Sequence, residues 1–317
     1  MADGKWITGL EAGQPATAAA LQVLNARLPI VAHYLPLAAS KADEDMEYVH
    51  QLRVATRRCG AALRIFKPVL IRRRHKHAKA LLRSIRQTAG AARDWDVFLQ
   101  LIDDCDSLKK TSAEATIDFL IGYCFGERAA AQEAIVAIAN TAQSQLVDLL
   151  ETLPSATLPP ADDGRSLTVF DLANTVLREL FTELATEIDA KPETPDDLHQ
   201  LRITGKRVRY AMEIFAGLYQ PPFRNVLYPA VEQMQEILGH IQDGHTAIRR
   251  ITLMANRLWA VRPSAAERIM PGLNDLIQEF RDRIATHKKE FREWTRHWKS
   301  LAEKHPLSEL LMPLASP

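Results

Sequence analysis

A short run of residues, His50-Gln51-Leu52-Arg53, returns 149 positions later as His199-Gln200-Leu201-Arg202. An imidazole and a guanidinium three residues apart can both donate to one anion, whereas the guanidinium would repel a metal ion held by the same imidazole. On a helix advancing 100° per residue, His50, Arg53, Arg57 and Arg64 fall within about 60° of one another. His199, Arg202, Lys206 and Arg209 take nearly the same angles in the second copy, and Arg58 matches Arg207 at the same offset. Farther on, Lys76, Lys79, Arg83 and Arg86 stand at i, i+3, i+7 and i+10, followed by Arg93. From His50 through Arg93 there are thirteen Lys or Arg and no Asp or Glu. Like charges one turn apart repel by a few tenths of a kcal/mol per pair, so this array is costly until an anion neutralises it. The chemistry expected is binding of a phosphate-rich polyanion by these fifteen residues, with both histidines donating as imidazolium beside bound phosphate.

Positioning these groups requires helices. Alternation of apolar and polar residues is nearly absent, and apolar residues recur at 3.6 spacing between segments punctuated by Gly and Pro. The pattern predicts an all-α protein with helices near 15–39, 44–66, 72–89, 95–105, 112–150, 167–190, 196–216, 223–239, 244–259 and 266–304. Residues 152–166, with Pro154, Pro159, Pro160 and Gly164, read as a linker. They separate an expected bundle over 15–151 from a second over 167–304, with an extension over 1–14 and a tail over 305–317. The offset of 149 needs no gap across about fifty residues: Ala62, Ile65, Phe66, Gly90 and Asp94 match Ala211, Ile214, Phe215, Gly239 and Asp243. A tandem duplication is the simplest account, with each half a helical bundle, the two halves related by a pseudo-twofold, and basic stripes that can face each other. Asp94 and Asp243 are expected as helix N-caps, and Gly90 and Gly239 as helix-terminal or close-packing glycines.

The HQLRVATRR and HQLRITGKRVRYAMEIF segments, with the later GAARDWDV and GHIQDGHT turns, resemble the CHAD family, the conserved histidine α-helical domain. The resemblance runs from about residue 15 to residue 300. It implies two pseudo-symmetric four-helix bundles flanking a basic cavity, binding of inorganic polyphosphate and association with polyphosphate granules. Matched by position, it assigns His50, Arg53, Arg57 and Arg58 to the first motif and His199, Arg202, Lys206 and Arg209 to the second. Where the first half has Lys79, Arg83, Arg86 and Arg93, the second has Tyr228, Glu232, Gln235 and Gln242, so the first half is expected to contribute more.

Composition bounds the remainder. The 317 residues carry 40 Lys or Arg against 39 Asp or Glu, so the net charge of +1 excludes a binder that is basic all over. Cys59, Cys105 and Cys124 have no CxxC spacing and read as buried helix residues. No leader pattern or run of 18 apolar residues is seen, so a cytoplasmic protein without membrane contact is expected. Walker, GxSxG, HExxH and ExExK patterns are missing, and the basic stripes hold no carboxylates for a metal, Glu213 at the end of the second being the exception and read as an ion-pair partner. The expectation is therefore a noncatalytic binder needing no metal or cofactor. Nucleic-acid backbone binding, with Tyr210 the main stacking candidate, a phosphohydrolase and a purely structural scaffold are the alternatives.

Overall fold

The computed structural model describes residues 5–159 and 167–312, so part of the expected linker and both chain ends lie outside the described residues. Helix-start chemistry is clearest in the second half. The Thr168 and Thr194 hydroxyls accept the backbone N–H groups of Asp171 and Asp197 at 3.1 and 3.2 Å, satisfying donors that a helix start otherwise leaves unpaired. In the first half Asp45 accepts the N–H of Glu47 at 2.8 Å, placing two carboxylates at the positive end of the first motif helix.

The helices are α1 (Ala16–Ser40), α2 (Glu47–Ile65), α3 (Arg72–Asp103), α4 (Glu114–Glu151), α5 (Val169–Asp189), α6 (Pro195–Phe215), α7 (Tyr228–Val261), α8 (Pro263–Lys304) and a single turn, α9 (Leu307–Leu310). A π-helical turn, Phe223–Leu227, leads into α7. Strand structure among the described residues is confined to two isolated bridges, Pro15 with Thr168 and Leu70 with Thr157. The all-α expectation holds. Two of its details do not: the helices expected at 72–89 and 95–105 merge into α3, and those at 223–239 and 244–259 merge into α7. Gly90 costs about 1 kcal/mol relative to Ala in a helix interior, but Ala89, Ala91 and Ala92 flank it and the helix runs through. All three cysteines are buried, although Cys105 lies in the turn after α3 rather than in a helix.

From α1 to α4, and again from α5 to α8, each helix packs on the next, and α1 closes against α4. The halves meet where α2 lies on α6, α4 on α8 and α1 on α5. Phe66 and Phe215, equivalent at the offset of 149, place their ring centroids 6.1 Å apart, and Arg58 of α2 reaches Glu213 of α6. Such pairings put α2 and α6 side by side, running in the same direction and in register. The apolar core does not divide at the linker. One core combines Leu52 and Phe66 with Leu201 and Phe215. A second is built from Phe98 of α3, Leu120 of α4, Ile251 of α7 and Leu276 of α8, where the long helices run beyond the first. The segment before α1 is also packed: Ile7 donates to the Glu213 carbonyl, and Trp6 lies 4.6 Å from the Tyr228 ring.

Candidate functional site

The parallel pairing of α2 and α6 decides which of the basic side chains meet. Lys206 stands one turn after Arg202 on α6 and feels Arg53 and Arg57 across the seam. Burial, then repulsion by Arg202, Arg57 and Arg53, pushes its ammonium down to about 7, with Asp243 opposing. Arg202 is likewise lowered by burial and by Arg57, and Arg53 by burial and by Arg57, Arg93 and Arg86. The pairs Arg53 with Lys206 and Arg57 with Arg202 exchange places under the shift of 149, as a twofold relation between the helices would require. Arg57 and Arg202 each keep a buried Nε with no hydrogen-bond partner among the described residues. A buried donor left without an acceptor costs about 1–3 kcal/mol, which an entering anion would relieve.

Two carboxylates temper this cluster, and both correct the sequence reading. Asp94 and Asp243 sit inside continuous helices and cap nothing. Asp94 pairs with Arg53 at 3.4 Å and approaches Arg250 of α7 at 3.9 Å. Burial raises the Asp243 carboxyl despite Arg202, His240 and Lys206. The glycines are close-packing positions: a Cβ on Gly90 would stand 2.5 Å from Arg53 Nη1, and one on Gly239 would stand 3.4 Å from Arg202 Nη2. In the first copy Arg53 thus crosses Gly90 on the next helix to pair with Asp94 one turn on, whereas in the second Arg202 crosses Gly239 and feels Asp243 electrostatically without an ion pair between them among the described residues.

The histidines flank the cluster. His50 is half-buried and lowered by burial and by Arg93, Arg57 and Arg53, with Glu47 opposing, so in the unliganded protein it is driven toward the neutral imidazole. His199 is exposed, and its Nδ1 lies 3.0 Å from Oε1 of Gln242, the residue equivalent to Arg93. Arg93 itself reaches Gln100 at 3.4 Å.

Of the remaining predicted residues, Lys76, Lys79, Arg83 and Arg86 lie exposed along α3, and Arg64 is exposed on α2 with its guanidinium lowered by partial burial and by Arg207 and Arg86. Three others are engaged by carboxylates instead. Arg58 is buried and donates to fully buried Glu213 at 2.9 Å, Arg207 pairs with Glu183 at 2.5 Å, and Arg209 approaches Glu232 at 3.6 Å and Glu213 at 4.0 Å. Glu213 is therefore the ion-pair partner its position suggested. In the second half Tyr228 donates to Glu213 at 2.9 Å, Glu232 pairs with Lys5 at 3.1 Å, and Gln235 donates to the Arg202 carbonyl at 3.2 Å. The surface that α3 leaves basic is thus used internally on α7.

Sequence reasoning missed two cations. Arg27 is 1% exposed beneath the seam, donates to the Arg58 carbonyl at 2.7 Å and is pushed down to about 10 by burial, a role nothing in an Ala- and Leu-rich helix announces. Arg250 stacks over Trp95 at 4.3 Å and joins the Asp94 side of the cluster, but its equivalent at the offset is Leu101, so the repeat conceals it. The basic residues of α8 lie elsewhere: Lys299 pairs with Asp189 at 2.8 Å and Arg292 with Glu193 at 3.7 Å, holding α8 to the α5–α6 turn. Tyr210 is buried. Among the described residues no three His, Cys, Asp or Glu side chains are grouped to hold a metal ion, and no helix is long and apolar enough to cross a membrane.

Comparison with known proteins is consistent across sequence and fold. The CHAD domain family matches residues 22–252. The crystal structure of the CHAD domain from the plant Ricinus communis is 23% identical, superposes over 92% of this chain and 95% of that one, and gives a TM-score of 0.69. PptA from Streptomyces chartreusis is 17% identical over 89% of this chain and 100% of its own, also at 0.69. At such identities the two structures speak to the fold. No curated protein matches the chain.

Proposed function

The chain belongs to the CHAD domain family, and from that premise we propose that the α2–α6 seam binds inorganic polyphosphate without chemically altering it. One observation carries this reading: α2 and α6 converge Arg53, Arg57, Arg202 and Lys206, with Asp94 and Asp243 the carboxylates in opposition. A chain of phosphates would supply the missing negative charge, with guanidinium forks binding pairs of oxygens and Lys206 acting as a point charge. The exposed cations of α3 extend the track from Arg86 through Arg83 and Lys79 to Lys76. His50 would add a donor at its edge once phosphate favours its imidazolium form, and a ring N–H of His199 could serve as a second donor. Burial of Tyr210 removes the main platform for base stacking, which favours polyphosphate over single-stranded nucleic acid. The protein would act in the cytoplasm, at polyphosphate granules where these form.

Calorimetric titration with polyphosphate across a salt series tests the reading. Counterion release predicts a linear fall of log affinity with log salt, amounting to about three or more decades between roughly 50 and 200 mM if six or more phosphates are neutralised. A flat response would refute it. Release of orthophosphate when divalent metal is added would instead make the protein a phosphohydrolase, and stronger competition by RNA or DNA would make it a nucleic-acid binder.

A further inference from the structure

Where α7 packs on α8, the two helices enclose a groove of about 540 Å³ whose polar lining includes Glu236, His240, His287, Glu290, Glu293 and His297. Contacts of Ala230 with Trp294, His240 with His287 and Gly244 with Ile284 show that the helices run antiparallel. Their spacing is fixed on both sides of the histidines. At one end the Trp294 indole donates to the Ala230 carbonyl at 2.9 Å in the interior. At the other, Ile284 comes so close that a Cβ on Gly244 would stand 2.8 Å from its Cγ1. Between these contacts the rings of His240 and His287 stack across the helices, with centroids 4.7 Å apart and planes 18° from parallel.

The surroundings of this pair differ from those of the motif histidines, whose neighbours are arginines. Among the described residues no Lys or Arg lines the groove. The cations next along α8 are drawn to the α5–α6 turn instead, Lys288 donating to the Glu193 carbonyl at 3.0 Å and Arg292 pairing with the Glu193 carboxylate at 3.7 Å. Glu236, one turn before His240, joins Glu290 and Glu293 in making the groove acidic. His287 Nδ1 lies 2.8 Å from Oε2 of Glu290. An ionised carboxylate only accepts, so Nδ1 carries the proton and Nε2 keeps its lone pair. A carboxylate on the second ring nitrogen is the usual support of a metal-bound imidazole, because it fixes the ring and raises its basicity. We propose that His240 and His287 bind a divalent late transition-metal ion, of the zinc, copper or nickel class, with Glu290 a positioning residue. Imidazole nitrogen suits these ions, and rings stacked this closely reach one ion by small side-chain rotations. No third His, Cys, Asp or Glu among the described residues converges with them. Water, or Glu236 after a turn of its exposed side chain, completes the coordination. His240 also acts electrostatically on Asp243, so a bound ion adds positive charge beside the seam.

The test titrates zinc chloride into the metal-free full chain by calorimetry, near neutral pH and without phosphate or polyphosphate. One ion per chain is expected. His240→Ala and His287→Ala should each weaken it at least about tenfold, and Glu290→Ala by about tenfold, with Glu290→Gln, which keeps an acceptor, recovering much of that loss. Binding should also fade as pH drops below about 6.5, since the imidazoles must be unprotonated to bind. Circular dichroism confirms that each variant folds, and the double variant His50→Ala with His199→Ala should bind zinc like the parent. Absence of zinc binding overturns the proposal. So does an affinity that survives both His240→Ala and His287→Ala, or one lost in the His50 and His199 variant, since either places the ion elsewhere. Polyphosphate titrated into the same metal-free preparation reads the seam separately, so failure here is distinguishable from failure of the proposed function.

Discussion

At the scale of single residues, the position of Lys206 makes proton exchange part of binding. Its ammonium sits at about 7 in the unliganded protein, and phosphate favours the charged form. Binding near neutral pH should therefore take up protons, and affinity should fall as pH rises from about 7 toward the ordinary lysine range. Lys206→Arg retains the charge without titrating in that window. Calorimetry in buffers of different ionisation enthalpy should show proton uptake in the parent and much less in the variant; equal uptake would assign it to His50 or to the phosphates. The unliganded protein follows the complementary sign. Between about 7 and 10.5 the unfolded state binds more protons at this lysine than the folded one does, so its contribution to stability improves as pH rises through that window. The glycines give a second test. Gly90→Ala places a methyl against the end of the flexible Arg53 side chain, which can swing aside at little folding cost but loses Asp94. Thermal unfolding should change little, within about 1 kcal/mol and offset by the better helix propensity of Ala, while polyphosphate affinity shifts measurably. Gly239→Ala, with 3.4 Å of clearance, should leave both nearly unchanged.

At the scale of elements, the seam between α2 and α6 is fastened on one side only. Arg58 pairs with Glu213 in the interior, whereas the equivalent positions, Arg207 and Arg64, bring two cations near each other. Glu213→Ala strands a buried guanidinium and should cost on the order of 3–5 kcal/mol in urea unfolding. Arg207→Ala removes a partly exposed pair and should cost about 1 kcal/mol or less. Equal effects would deny the seam its buried fastening. These elements also show what was readable beforehand. The ends of α1, α4, α5, α6 and α8 follow from apolar periodicity, proline and threonine, because those signals are local. Gly90 and Asp94 read as the end of one helix and the start of another because the real partner of both, Arg53, lies some forty residues away in sequence and acts through tertiary packing. Arg58 read as a ligand because it matches the family motif by position and recurs as Arg207, although it lies about 80° round the helix from His50, on the flank of the stripe. Angle alone cannot say that α6 covers that flank with a glutamate. The segment before α1 read as an extension since only its contacts with Glu213, Tyr228 and Glu232 reveal its place.

At the scale of the whole molecule, the charge that matters is lopsided although the net charge is +1. The central cluster draws equally on both halves, so the inequality expected from the sequence moves outward, to the exposed cations of α3 and the occupied surface of α7. Lys79→Ala with Arg83→Ala should weaken long polyphosphate severalfold and lower the salt slope by up to about two, while short oligophosphates seated at the seam change little. Calorimetry with both ligand lengths decides this, and equal losses would place the track elsewhere. The second core has a different consequence. Phe98 and Leu120 from one side of residues 160–166 are covered by Ile251 and Leu276 from the other, so neither fragment brings enough apolar surface to cover its own part of it. Nicking the chain within 160–166 should yield two pieces that stay associated and bind as before, since the interface, not the peptide bond, holds them. Either piece produced alone should aggregate, and co-expression of both should rescue solubility by complementation.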